Sequence, residues 1–306
     1  MSSLFLFGAG ASYGSGPCYP CNPPLGSNLF AALQAHGGVA STVSPDLAAL
    51  FAQDFEKGMD DFWIRRNTDT TRFLREMAKF FARFEPMPDN EYINLIRVLG
   101  GNRKKVVLVT TNYDLLIEHA VTRSGLLIQY AGLPAAKDNI PILKIHGSCH
   151  FLPDLMPSQF SGLSFDLGGS KVASIMNAPV RIATSTKEIL DFCEREDSIA
   201  PALAMYSPAK QVLFCREFVE AQLQAWKTAL SYVSRIYVIG LRVHTVDDHI
   251  WGELAKAKAP IYYVGREPEQ FLEWARSVGH RSNFVLTDSF KAAIPMIAQH
   301  HGTKLN

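Results

Sequence analysis

The chain has 306 residues, 47% of them hydrophobic and 19% charged, with a formal net charge of +1. That length and apolar fraction support a sizeable core, and a near-neutral chain without a long basic run is not organised to bind nucleic acid or an anionic membrane surface. No apolar stretch approaches the roughly 18 residues of a bilayer span, and no basic segment precedes the apolar N-terminus, so a cytoplasmic protein is expected.

The chain begins with Ser3-Leu-Phe-Leu-Phe7, an apolar run that reads as a buried strand, and breaks at Gly8-Ala9-Gly10-Ala11-Ser12. Two glycines spaced one apart after such a strand let the backbone turn sharply and bring amides close to an anion, as at the pyrophosphate of a bound dinucleotide. The hydride-transfer version of this turn carries a third glycine and, roughly 20 residues on, an acid for the ribose. Here the sixth position is Tyr13 and the first acid is Asp46. An oxidoreductase is therefore disfavoured, while dinucleotide binding is not.

Residues 13 to 25 form a Gly/Pro loop that excludes helix and central strand, and its position after a phosphate turn suits a lid. Cys18 and Cys21 within it form a C-x-x-C. The other cysteines, Cys149, Cys193 and Cys215, supply no second C-x-x-C to complete a tetrahedral zinc site. These are read as loop thiols, and neither a metal nor a disulfide framework is expected.

Periodicity predicts helices over Leu29 to Gln34, Asp46 to Lys57, Thr71 to Phe84 and Glu91 to Leu99. The third carries Phe73, Met77, Phe80, Phe81 and Phe84 on or near one face, which reads as core or, if exposed, as a contact surface. Val106 to Thr110 is a β-branched strand that ends in Thr111-Asn112-Tyr113-Asp114 and leads into a helix through Val121. Ile140 to Ile145 is a strand ended by His146-Gly147-Ser148. The irregular stretch 150 to 210 is expected to be an inserted subdomain with a helix near Thr186 to Glu196. Helix Arg216 to Ser231, strand Arg235 to Gly240, helix Asp247 to Ala257, strand Pro260 to Val264, helix Pro268 to Val278, strand Phe284 to Leu286 and helix Ser289 to His300 complete the chain. Alternating strands and helices predict an α/β fold, a Rossmann-like, doubly wound parallel sheet. The whole chain, 1–306, reads as one domain with an inserted helical segment at about 26–100 and the inserted subdomain at about 150–210.

In an open parallel sheet ligands bind outside the carboxyl ends of the strands. Four strands here end in glycine or polar clusters: Gly8 to Ser12, Thr111 to Asp114, His146 to Ser148, and Gly240 to Arg242. Asn112 and Asp114 suit either helix capping or ligand contact. His146 suits either a buried structural ring or a general base.

Taken in this order, the motifs resemble the sirtuin-like (silent-information-regulator-two-like) superfamily of NAD-binding domains. Gly8 to Ser12 looks like its G-A-G-x-S phosphate motif, Thr111 to Asp114 like its N-x-D motif, and His146-Gly147 like its catalytic His-Gly. Ile236 to Gly240 is similar to the strand and glycine on the adenosine side. Pro24-Leu25-Gly26 and Thr110 to Leu116 look particularly like the bacterial antiphage-defence branch. The resemblance implies catalytic roles for Asn112, His146 and Asp114, and cofactor contacts at Gly8, Ala9, Gly10, Ala11, Ser12, Thr111, Gly240, Arg242 and Gly265. Arg242 stands where sirtuins usually carry a small hydroxyl residue. Protein-deacylating sirtuins also carry a four-cysteine zinc module after the histidine, whereas residues 150 to 210 here hold only Cys193. The implied activity is accordingly hydrolysis of NAD, as substrate, to nicotinamide and ADP-ribose, used in antiphage defence by NAD depletion. Such an activity requires gating, through a homo-oligomer, a separate regulatory or sensor protein, or the inserted subdomain. The alternatives are a protein deacylase, an ADP-ribosyltransferase and a non-catalytic NAD or ADP-ribose sensor.

Overall fold

Seven strands build one fully parallel sheet: β1 Ser3–Phe7, β2 Val106–Thr110, β3 Ile128–Gln129, β4 Ile140–Lys144, β5 Arg235–Ile239, β6 Ile261–Val264 and β7 Asn283–Thr287. The computed structural model describes residues 2–100, 105–136, 138–154, 178–195, 199–204, 214–244 and 247–303. Across the sheet the order is β7-β6-β5-β1-β2-β4-β3. The chain thus moves outward from β1 on one side through β2 to β4 and β3. It then returns to lay β5, β6 and β7 outward from the other side of β1. The order reverses between β1 and β5, and a crevice at the carboxyl ends of the strands is where such a sheet takes a ligand.

Strands covered on both faces must be apolar throughout, and Leu4, Phe5, Leu6 and Phe7 are all fully buried. Because side chains alternate, the two faces hold different cores. Leu4, Leu6, Val109, Val238 and Ile261 share one cluster with Trp226, Leu230, Trp251, Leu254 and Phe271 of the helices on that side. The other face is aromatic. Phe5, Tyr237, Tyr262 and Phe284 stack in a ladder with successive centroids 4.6, 5.2 and 5.2 Å apart. Phe7 meets Tyr92 of helix Glu91–Leu99 and Phe290 of helix Phe290–His301 on the same side. This is the doubly wound architecture expected from the alternation of elements.

By its internal contacts the chain divides into two units. The first, residues 1–23, 84–145 and 221–306, contains the sheet. The second, residues 24–83 and 146–220, contains helices Gly26–His36, Pro45–Gln53, Phe55–Arg66 and Thr70–Ala82, the antiparallel pair Phe151–Pro153 and Val180–Ile182, and helix Thr186–Glu194. Its centre is phenylalanine: Phe30 stacks on Phe51 at 4.0 Å, and Phe73 packs against Phe51 and Phe62. Arg75 Nε donates to the Cys193 carbonyl at 2.9 Å, joining Thr70–Ala82 to Thr186–Glu194.

Several sequence expectations need correction. Asp46 to Lys57 is two helices, because Asp54 adopts an extended backbone and its Oδ1 accepts from the amides of Glu56 and Lys57, capping the second. Phe73, Met77 and Phe80 are fully buried and Phe81 nearly so, which removes the reading of that helix as an exposed contact surface. Helix Ala9–Tyr13 follows the glycine turn at once and takes in the first residue of the stretch read as the 13 to 25 loop. Within the 13 to 25 loop, Cys18–Tyr19 pairs with Glu85–Pro86. Much of the subdomain expected at 150–210 falls on residues outside the described set. Among the described residues no helix is long and apolar enough to cross a membrane.

Candidate functional site

The glycine turn is closed by the neighbouring strand. The Gly8 amide donates to the Ile239 carbonyl at 3.0 Å and the Gly10 amide to the Gly240 carbonyl at 2.8 Å. This approach is too close for side chains. A Cβ on Gly8 would sit 2.7 Å from the Gly240 carbonyl oxygen and one on Gly10 2.8 Å from it. A Cβ on Gly240 itself, at φ +62°, would overlap the Ala11 amide nitrogen. The three glycines interlock the end of β1 with the end of β5 at the point where the strand order reverses.

This geometry revises how the turn could hold an anion. Of the amides expected to face a pyrophosphate, Gly10's is taken by Gly240, and Ala11's by the Gly8 carbonyl at 2.9 Å. The glycines are needed for backbone proximity more than for amide donation.

Asn112 lies one residue beyond the end of the Thr111 amide's bond to the Phe7 carbonyl, 3.1 Å long, and its own amide is held by Thr110 Oγ1 at 3.0 Å. Its Nδ2 donates to the Gly8 carbonyl at 3.0 Å and to Ser12 Oγ at 2.8 Å. A carbonyl only accepts, so the nitrogen must face Gly8 and both amide hydrogens are committed. What remains is Oδ1, which has the Thr111 hydroxyl at 3.5 Å. Asn112 thus ties the β2 loop to the glycine turn and presents an acceptor. It caps no helix, because the following helix, Leu116–Arg123, has Leu115 at its N-cap position. Asp114 does act there, its Oδ1 accepting from the Leu116 amide at 3.1 Å.

Ser12 is almost wholly buried, and its hydroxyl lies between Asn112 Nδ2 and Tyr92 Oη, 3.1 Å away. Burial pushes the Tyr92 hydroxyl well above the ordinary tyrosine range, with the Asp114 charge adding to the effect, so it stays protonated. Tyr92→Phe is expected to cost about 1 kcal/mol, read as a fall of roughly 2–4 °C in melting temperature. An unchanged melting temperature would mean that the ring alone matters. Next along the turn, Ser15 Oγ donates to the Ser12 carbonyl at 2.9 Å, and Asn90 Nδ2 reaches both Ser15 Oγ and Cys18 Sγ. Burial raises the Cys18 thiol above its ordinary pKa. Among the described residues no cluster of three or more His, Cys, Asp or Glu side chains could hold a metal ion.

On the other side of β1, Arg242 is mostly exposed and pairs with Glu267 at 3.0 Å. Gly265, at the end of β6, donates its amide to the Thr287 carbonyl at 3.1 Å. The carboxyl ends of β1, β2, β5 and β6 therefore bring Gly8 to Ser12, Thr111 to Asp114, Gly240 and Gly265 to one edge of one sheet.

The chain leaves β4 through Ile145, and His146 is the first residue of the second unit. Its carbonyl accepts from the Ala204 amide at 2.8 Å, and the Ser148 amide donates to the Ala202 carbonyl at 2.9 Å. Between them Gly147, at φ +78°, leaves no room for a Cβ beside the Ala202 carbonyl. The imidazole of His146 is buried, and so are Ser148 and His150, whose Oγ and Nδ1 lie 2.8 Å apart.

Three residues of the first unit were not singled out in the sequence: Tyr92, Glu118 and Lys144. Lys144 left a signal, as the one charge in an apolar strand that a parallel sheet buries on both faces.

A family model described as SIR2-like domain matches residues 106–161, which run from β2 through the Thr111 to Asp114 loop and His146-Gly147. Among solved structures, a Sir2 in complex with the inhibitor EX-527, 2'-O-acetyl-ADP-ribose and a deacetylated p53 peptide is similar in fold. Its TM-score is 0.50, with 13% identity over 99% of this chain and 95% of that one. A Sir2 homologue–NAD complex has a TM-score of 0.48 at 14% identity, covering 98% of this chain and 89% of that one. A mutant Sir2 homologue with ADP-ribose also has a TM-score of 0.48 at 14% identity, covering 99% and 95%. None of the curated proteins compared by sequence matches the chain.

Proposed function

We propose, on the premise that this chain is a sirtuin-like domain, that it is an NAD-utilising enzyme that hydrolyses the nicotinamide–ribose bond. The observation that carries this reading is the Asn112 network at the strand-order reversal. A side chain that holds the glycine turn with both amide hydrogens leaves its oxygen, which has the Thr111 hydroxyl at the long distance of 3.5 Å, able to accept a further bond from a hydroxyl or a water. A binding module has no need of so constrained an acceptor.

In this reaction the glycosidic C–N bond breaks and its electron pair leaves on neutral nicotinamide. The ribose carbon passes through an oxocarbenium-like state, water adds to it, and the water's proton is released. Nicotinamide is already a cationic leaving group, so the enzyme has mainly to orient the reactants and stabilise developing charge. In the proposal Asn112 Oδ1 accepts from the attacking water or a ribose hydroxyl, and His146 is the base. Asp114 fixes the loop, and the Gly8 to Ser12 turn with Thr111 receives the diphosphate side. Gly240, Arg242 and Gly265 take the adenosine side. The chain would act by depleting NAD, as in antiphage defence, under the control of self-association or a regulatory protein.

Deacylation is the second reading, favoured by the fold but not by the sequence, which has only Cys193 between residues 150 and 210. The two separate on the products formed from NAD with and without an acyl-lysine peptide. Hydrolysis gives nicotinamide and ADP-ribose at a rate the peptide does not change. Nicotinamide release only with the peptide, together with O-acyl-ADP-ribose, would overturn the proposal in favour of deacylation.

A further inference from the structure

Lys144, the last residue of β4, is completely excluded from solvent. An ammonium in that setting is tolerated only when it is paired and hydrogen-bonded. Its Nζ has two partners: Glu118 Oε1 of helix Leu116–Arg123 at 3.1 Å, and the backbone carbonyl of Asp114 at 2.5 Å. Glu118 is itself buried. Burial pushes its carboxyl up, and the Lys144 ammonium opposes that shift.

The ion pair alone does not account for these residues, because an apolar pair of similar volume commonly packs at least as stably as a buried salt bridge. The bond to Asp114 is what an apolar side chain cannot reproduce. It falls in the loop between β2 and the helix, in which Asn112 is bound to Gly8 and Ser12. With Asp114 Oδ1 on the Leu116 amide, the Lys144 bond fixes the carbonyl of the same residue from the opposite element.

We propose that Lys144 is a positioning residue: its bond to the Asp114 carbonyl sets the Thr111 to Asp114 loop, and through it the aim of Asn112 Oδ1, while Glu118 holds the Lys144 Nζ in place from the neighbouring helix. The catalytic half of this inference rests on the reading that the loop contacts NAD; the structural half does not.

The test compares Lys144→Met, Glu118→Met and the double variant in the full chain. Each single variant leaves one buried ionisable group without its ion-pair partner and is expected to lower the melting temperature by about 10 °C. The double variant removes both charges and should melt within about 3 °C of wild type. Its loop should nonetheless be loosened. Hydrogen exchange of the amides of residues 111–115 should be at least about tenfold faster than in wild type. For NAD cleavage, kcat should stay about 30-fold or more below wild type with KM within roughly threefold, the pattern of a lost transition-state alignment. If exchange across 111–115 in the double variant matches wild type, the positioning role is overturned, and that readout needs no NAD. If exchange quickens but kcat recovers along with the melting temperature, the link to catalysis is overturned. Absence of NAD cleavage by the wild-type protein in every assay would count against the proposed function and leave the exchange result standing.

Discussion

Asn112→Ala is expected to lower kcat/KM for NAD by about 10²–10³-fold or more, the range seen when one oriented group at a reacting centre is removed. Two losses coincide in this variant. The acceptor Oδ1 disappears, and so do both donors to the glycine turn. The second loss removes two hydrogen bonds, leaving the Gly8 carbonyl with the Ala11 amide but without that of Asn112, and should cost about 1–3 kcal/mol of stability. Asn112→Asp separates shape from chemistry. The carboxylate keeps the volume and an acceptor, but has no N–H and would face the Gly8 carbonyl with negative charge. Ser12 can turn its hydroxyl to donate; the Gly8 carbonyl has no such option. The aspartate variant should therefore be as inactive as the alanine variant and melt lower. Nicotinamide release and a melting curve on the same preparation check both points. An active Asn112→Asp protein would show that the ties to Gly8 and Ser12 do not matter.

Gly240→Ala should be the most damaging single methyl addition in the sheet. Its Cβ would overlap the Ala11 amide nitrogen and the Gly10 carbonyl carbon, both backbone atoms that no side-chain movement can relieve. The left-handed φ of +62° adds roughly 1–2 kcal/mol of its own. A total above about 4 kcal/mol is expected, read as a fall of more than about 10 °C in melting temperature or as insoluble protein. Gly279→Ala is the control. That glycine has a similar φ, +70°, and no atom within 4 Å of its ideal Cβ, so it should lose only the conformational part. Equal effects at the two positions would mean that contact with the Gly8 to Ala11 turn is not what Gly240 provides.

The sheet was legible in the sequence because its strands are short apolar runs that end abruptly in glycine or polar residues. β1, β2, β4, β5 and β6 were all expected within a residue or two of where they lie. β3 was missed because two residues at a sheet edge, Ile128–Gln129, carry no period to read. The break at Asp54 was missed because an aspartate inside an amphipathic pattern looks like a surface residue until its cap is seen. At the candidate site, motif spacing was enough to nominate Gly8 to Ser12, Thr111 to Asp114 and Gly240. It did not distinguish an amide that faces a ligand from one used by a neighbouring strand, as Gly10's is. Nor did it reveal Tyr92 behind Ser12, because that contact joins residues 80 positions apart. Lys144 and Glu118 stayed hidden for the opposite reason: each charge was visible, but only the packing of helix against strand shows that they neutralise one another.

The most direct measurement is NAD incubated with the purified wild-type chain beside His146→Ala, with products separated by chromatography and folding followed by melting. The account predicts nicotinamide and ADP-ribose in equal amounts from wild type, and a rate at least about 10²-fold lower from the variant, the scale of a lost general base. A folded His146→Ala protein that cleaves NAD as fast as wild type would contradict it, and so would wild-type protein that binds NAD and never releases nicotinamide.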